Sequence, residues 1–492
     1  MKHGNMHRVH LLIGANAQLW MIVGTLAFLY TLFSPAPLTS FAASTVSITH
    51  TQAKSQLAPA SSGDWTTYMG SNGREGYNAA ETVITTKTAP NLKIKWTHSA
   101  GGGIFSQPIV SNGIIYWGSE DGYEHATNLS GGFVWATNLG TTPGDCSNTH
   151  TGVISTGTIA SAVIGGKTTS VLYVGGGNGY MYALKAATGA VIWRTLLGSA
   201  PPHFLWSSPD VFNGNVYEGV ASLDDCPLVQ GQLVEMNGVT GAIEHTFNTV
   251  PNGCIGAGVW ASPTIDEAAG LVFIATGNGG TCGSSEPYAE ALVKLNASDL
   301  SYVSSWQVPG SSQVADGDFG ATPTLFTATI NGTLHNMIGV ENKNGIYYAF
   351  DRAIIHTGPL WSIRVGCSTC SGSQTPSAWD GTTLYVGSHK AVINGKTCAG
   401  SLNAVNPATG AFIWQHCMTD GAIFGAIMVV PGVAVIGEGP YIIVVNAQTG
   451  QTIFRYKNTS EAFVGAGTIS NGVLYYGSHP SVSKGTLYAF AP

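Results

Sequence analysis

From residue 91 onward, short apolar runs recur along the chain, each alternating with polar positions. A first run ends in or next to glycine: IIYWGS (114–119), VLYVGG (171–176), NVYEGV (215–220), LVFIATG (271–277), NMIGV (336–340), TLYVGS (383–388), VAVIGE (433–438) and VLYYGS (473–478). A second run follows each time, as in YMYALK (180–185), ALVKLN (291–296) and TLYAFA (486–491). A third closes most units on an aromatic, as in FVWAT, VIWRT, LWSIR and FIWQH. A period of two marks half-buried strands. Asn112-Gly113, Asn213-Gly214, Asp380-Gly381 and Asn471-Gly472 precede four of the first runs. Such pairs suit hairpin turns that need φ > 0.

With a short apolar strand ahead of each hairpin, the unit has four strands and repeats roughly every 40–60 residues. No helix is predicted. This pattern predicts an all-β, eight-bladed β-propeller of four-stranded antiparallel blades. The eighth unit runs out at Pro492 without its outer strand, and LKIKWTH (92–98) has the missing pattern, including Trp96. The N-terminal strand is therefore expected to complete the last blade. An open array or two smaller sandwiches would leave Trp96 and the truncated unit unexplained.

Composition narrows the function classes. Glycine accounts for 65 of the 492 residues, charged residues for only 9% and apolar residues for 44%. The apolar share is too high for disorder, and the charge too sparse for long wet helices. The net charge is −7 and no basic run occurs, so no nucleic-acid partner is expected. No HExxH, Walker or GxSxG motif is present. Chemistry must come from residues that converge on the propeller channel.

Residues 1–43 read as a signal peptide or a membrane anchor. Lys2 and Arg8 precede an apolar run, and small residues follow at Phe41-Ala42-Ala43. An uncleaved stretch over residues 11–33 would be a membrane tether. Either way the rest is expected to be extracytoplasmic, secreted or at the cell envelope. Residues 44–63 read as a flexible linker, and residues 64–492 as one propeller domain. The eight cysteines of an exported chain permit disulfides. Cys398 and Cys417 flank one predicted hairpin and are placed to pair across it. Cys367 and Cys370 form a CxxC that reads best as a local disulfide.

The third-strand segments ALKAATGAVIW (183–193) and AVNPATGAFIW (404–414) are specific. They resemble the tryptophan-docking repeat of the pyrroloquinoline quinone (PQQ) propeller family. That family includes quinoprotein alcohol dehydrogenases and non-enzymatic outer-membrane assembly proteins. The resemblance sharpens in the middle repeats, at Trp260-Ala-Ser-Pro, Thr276-Gly-Asn278-Gly, Asp316-Gly-Asp318-Phe and Asn342-Lys343-Asn-Gly. These look like the alcohol dehydrogenase site, most of all its polyvinyl alcohol dehydrogenase branch. The resemblance implies Trp260 stacked on PQQ, Asn278 as a Ca²⁺ ligand, Asp318 as base and metal ligand, and Lys343 on the quinone oxygens. It implies a further Ca²⁺ ligand at Asp225, three residues after Ser222, with Asp224 as substitute. Ser222 and Ser207 match cofactor-binding hydroxyl positions. Oxygen donors suit a hard cation, and a carboxylate suits proton removal as hydride leaves.

Two departures stand against this. Phe105 replaces a family glutamate in the first blade, and the family's adjacent cysteines and arginine are replaced around Cys146 and His150. No CxxCH follows for a haem, so electrons would leave to a separate acceptor. The resemblance implies an alcohol substrate, with a polymeric one suggested by that branch. Two functions remain open: a PQQ- and Ca²⁺-dependent alcohol dehydrogenase, and a non-catalytic propeller that binds protein or glycan at the envelope.

Overall fold

The computed structural model describes Gln56–Leu57 and residues 63–144, 150–283, 286–367, 372–480 and 484–492. The signal or anchor reading of residues 1–43, and Cys146 and Cys370, lie outside the described residues. Within them, helix is limited to short 3-10 turns such as Tyr68–Gly70 and Gly310–Ser312. No helix among the described residues is long and apolar enough to cross a membrane.

The strands form eight four-stranded antiparallel blades. Blade 1 runs from the inner strand Ile109–Ser111 through Ile114–Gly118 and Tyr123–Asn128 to the outer Phe133–Asn138. Blades 2 to 7 repeat this order, with inner strands beginning at Thr158, Asp210, Thr264, Thr324, Ala378 and Met428. Blade 8 takes Thr468–Ser470, Val473–Gly477 and Thr486–Ala491 from the C-terminus, and Lys93–Ser99 from the N-terminal side. Lys93 lies opposite Ala491 and Ser99 opposite Thr486, with a bulge between Ile94 and Trp96. The expected closure by residues 92–98 is what forms. Gln56–Leu57 adds two residues to blade 2, opposite Ser161 and Ala160.

Tryptophans knit the blades together. The Trp135 indole donates to Ala186 O at 2.9 Å, Trp193 to Gly238 O at 3.1 Å, Trp361 to Pro407 O at 2.8 Å and Trp414 to Ala447 O at 3.0 Å. Each of these rings lies against a glycine in the next blade's turn, and a Cβ on Gly189, Gly241, Gly410 or Gly450 would come within 2.6 Å of the ring. The glycine both accepts a positive φ and lets the indole approach. This is why Thr-Gly and Trp recur at fixed spacing.

The repeat pattern does not announce what fills the channel. Residues 65–78 thread it and touch the second residue of every inner strand. Trp65 pairs with Val110, and Ile159 donates to Thr66 O. Asn72 bonds Val211 O through its side chain and accepts from Ile265 N–H. Leu325 donates to Gly73 O, Trp379 to Glu75 O and Val429 to Gly76 O, while the Asn78 amide reaches Ile469 O. One peptide thus satisfies polar groups on inner edges that would otherwise stay unpaired inside the ring. Arg74, fully buried, pairs with the equally buried Asp210 at 3.0 Å and donates to Tyr68 O at 2.7 Å.

Candidate functional site

In an antiparallel blade, the second-to-third strand turns and the links between blades emerge on the same face. The candidate residues sit there, on blades 3 to 5. Trp260 lies in the link into blade 4, which ends at the inner strand Thr264–Asp266. Asn278 follows the strand Leu271–Ala275 of that blade, and Asp318 lies in the link from blade 4 to blade 5. Lys343 stands in the Asn342–Ile346 turn of blade 5. Asp224 and Asp225 follow the strand Asn215–Ser222 of blade 3. Local bonds latch these loops together. The Asn342 amide donates to Gly317 O at 2.6 Å, and Lys343 N–H donates to Asp318 O at 3.1 Å.

One cavity of about 290 Å³ collects them: Ser222, Asp224, Asp225, Trp260, Asn278, Asp318 and Lys343 all line it. The Trp260 indole donates to Asp318 Oδ2 at 2.9 Å, and Lys343 Nζ lies 2.7 Å from Asp318 Oδ1. Lys343 also pairs with Asp316 Oδ1 at 2.8 Å and sits 5.1 Å above the Trp260 ring. Asn278 donates to the same Asp316 oxygen at 3.0 Å, and Ser222 Oγ donates to Asp225 Oδ1 at 2.7 Å. Gly320 makes room for the indole, because a Cβ there would lie 2.2 Å from its edge.

Asp318 is only 5% exposed, and burial pushes its carboxyl up to about 6, against the downward pull of Lys343. Burial draws Lys343 down, but Asp318 and Asp316 more than offset it and hold the ammonium above its ordinary value. Glu290 was not foreseen. Burial, then Asp318 and Asp316, raise its carboxyl to about 7. It stands 28 residues before Asp318 in the chain, and only the packing of blade 4 brings their charges together.

Ser207 takes a different position from the one its resemblance implies. It is fully buried, donates to Glu218 Oε1 and accepts from Gly219 N–H, so its hydroxyl does not line the cavity. Its neighbour Trp206 does. Phe105 packs on His479 with ring centroids 4.4 Å apart, and His479 bonds Glu120 at 3.0 Å. His150 is exposed in a two-residue strand with Thr151.

A second cavity of about 420 Å³ adjoins the first, sharing Trp206, Trp260 and Gln374. Phe105, Ile154, Trp206, Trp260, Gly320, Gln374, Phe424 and Val464 form its rim, one from each blade. Each lies four positions before the first residue of its blade's inner strand. That register was available in the repeats and identifies the channel-facing ring directly. Most of the ring is apolar, whereas carboxylates, two amides and an ammonium line the first cavity.

The donor set fits a hard cation: Asp225 or Asp224, Asn278 and Asp318 supply oxygens only. Among the described residues, no three His, Cys, Asp or Glu side chains stand close enough to form a metal cluster, and Lys343 neutralises Asp318. The flat ring of Trp260, which lines the cavity, suits a planar aromatic group.

A profile described as "Glucose/ethanol/alcohol dehydrogenase, beta-propeller domain" matches residues 241–367, a stretch that contains Trp260, Asn278, Asp318 and Lys343. Another, "Outer membrane protein assembly factor BamB", matches residues 125–286. Both profiles are of PQQ-repeat propellers. The chain is 22% identical to a polyvinylalcohol dehydrogenase of Sphingopyxis sp., over 81% of its own length and 68% of the relative's. It is 23% identical to a polyvinylalcohol dehydrogenase of Pseudomonas sp., over 82% and 69%. Its fold matches a quinohemoprotein alcohol dehydrogenase of Pseudomonas putida with a TM-score of 0.71 at 16% identity, covering 87% of this chain and 80% of that one. A europium-containing methanol dehydrogenase gives a TM-score of 0.71 at 15% identity, covering 88% and 98%.

Proposed function

We propose that this PQQ-repeat propeller is an exported quinoprotein alcohol dehydrogenase. The observation that carries the reading is the single cavity shared by Asp224, Asp225, Trp260, Asn278, Asp318 and Lys343, drawn from three blades. When bound, PQQ supplies a hydride acceptor and Ca²⁺ a Lewis acid beside it. Asp225, with Asp224 as substitute, Asn278 and Asp318 hold the cation. Trp260 offers its face to the cofactor, and Ser222 and Lys343 hold polar atoms at its edge. Ser207 is left out of the set, its hydroxyl being engaged by Glu218.

Asp318 takes the substrate's hydroxyl proton. Trp260 N–H fixes Oδ2 and so orients the carboxyl, while Lys343 stands against Oδ1. Lys343 stabilises the ionised carboxylate before transfer, since burial alone favours the neutral acid. The substrate is an alcohol, and the relatives' activity makes a polymeric secondary alcohol the first choice. A separate acceptor would be needed for the electrons. Export accords with the disulfides Cys254–Cys282 and Cys398–Cys417.

Purified protein reconstituted with PQQ and Ca²⁺ should reduce an artificial dye in the presence of primary, secondary or polymeric alcohols. Asp318→Asn should lower turnover by about 10²- to 10⁴-fold. The match to the assembly-factor profile keeps one second reading, a non-catalytic scaffold. Wild-type protein that neither binds PQQ nor reduces dye would decide for it.

A further inference from the structure

The segment that presents Asn278 is anchored at three levels. Its backbone is laced to the link that carries Trp260: Ala257 N–H donates to Asn278 O at 2.6 Å, Gly277 N–H to Gly258 O at 2.8 Å and Thr281 N–H to Ile255 O at 3.3 Å. The carboxylate of Glu286, a residue only 2% exposed, accepts from Gly280 N–H and Cys282 N–H, both at 2.6 Å. The third level is covalent. Cys254 and Cys282 are joined, with Cα atoms 5.8 Å apart.

The position of this bridge is informative. Cys282 stands four residues after Asn278, and Cys254 six residues before Trp260. The bridge therefore ties the two segments that meet in the cavity, while neither cysteine lines the cavity itself. Cys398–Cys417 is different in kind. It joins neighbouring strands of blade 6, and neither of its cysteines lines either cavity. The segment bearing Asn278 runs for fifteen residues between strands that end at Ala275 and resume at Ala291. A ligand carried on so long a connection would lose conformational freedom on binding, and that loss lowers affinity. A cross-link beside the ligand removes the freedom beforehand.

We propose that the Cys254–Cys282 bridge, with Glu286, is a positioning device for Asn278 and Trp260, which sets the affinity of the cavity for its divalent cation. The inference rests on the proposed function for the identity of the ligand. Its geometric half, that the bridge holds the two segments in register, stands without any ligand.

The test uses full-length protein carrying Cys254→Ser with Cys282→Ser, beside a control carrying Cys398→Ser with Cys417→Ser. Two quantities are read: amide hydrogen exchange at Ala257 and Gly277 without PQQ or Ca²⁺, and the Ca²⁺ concentration that half-saturates PQQ-dependent quenching of tryptophan fluorescence. The first double variant should exchange faster at those amides. It should need about 10- to 100-fold more Ca²⁺, as losses of supporting groups around a metal do. Saturating Ca²⁺ should restore its quenching, and the control should match wild type in both readings. Glu286→Gln keeps only one acceptor oxygen for two donors and should shift both readings the same way by less. It also provides the answer if the cysteine variant does not fold. Unchanged exchange and unchanged Ca²⁺ dependence, or equal shifts in the control, would overturn the proposal. If wild type binds neither PQQ nor Ca²⁺, the functional reading fails, and the exchange data alone then uphold or reject the clamp.

Discussion

Burial and Lys343 pull the Asp318 carboxyl in opposite directions, and the balance leaves it at about 6. A proton acceptor must be ionised, so kcat/KM should rise with pH through that region and then level. Removing a positive neighbour raises a carboxyl pKa. Lys343→Ala should therefore move the acid limb of the kcat/KM profile to higher pH, while a limb that stays in place would mean Lys343 does not tune Asp318. The family resemblance singled out Trp260, Asn278, Asp318 and Lys343, and each lies at a turn or link of a recognisable repeat. Ser207 failed for a simple reason. Side chains alternate along an extended segment, so with Trp206 facing the channel Ser207 turns into the blade. Glu290 left no local mark, since its coupling to Asp318 runs through space.

The docking element was legible because its physics is local: a turn glycine and an aromatic at fixed spacing. Its energetic claim is also testable. Trp193 is 9% exposed and bonds Gly238 O across to the next blade. Trp193→Ala should cost about 3–5 kcal/mol, the usual range for truncating a buried aromatic, read from denaturant unfolding. Loss of well under that would mean the indole is not a joint between blades 2 and 3. The hairpin disulfide Cys398–Cys417 was likewise readable, its cysteines flanking two paired strands. Cys254–Cys282 was not, because a sequence separation of 28 says nothing about which loops of neighbouring blades meet.

At the scale of the whole molecule, repeats foretold eight blades and a closing strand, whereas the threaded segment 65–78 is aperiodic and hid from the same reading. Its keystone is the Arg74–Asp210 pair, with both side chains 0% exposed. Arg74→Met should destabilise the propeller by about 3–5 kcal/mol, because it strands a buried carboxylate. Adding Asp210→Leu should recover much of that loss, and if it recovers none, Arg74 acts through its carbonyl bonds instead. The threaded segment closes the channel from within, and the carboxylates gather on the face where blades 3 to 5 present their loops. The central claim is that this face holds PQQ and Ca²⁺ together. The most direct measurement is a crystal structure of the protein with both, with anomalous scattering used to find the cation. The account predicts one Ca²⁺ about 2.3–2.6 Å from oxygens of Asn278, Asp318 and Asp225 or Asp224, with the quinone lying on Trp260. A cation bound elsewhere, or PQQ absent from the Trp260 face at saturating concentration, would contradict it.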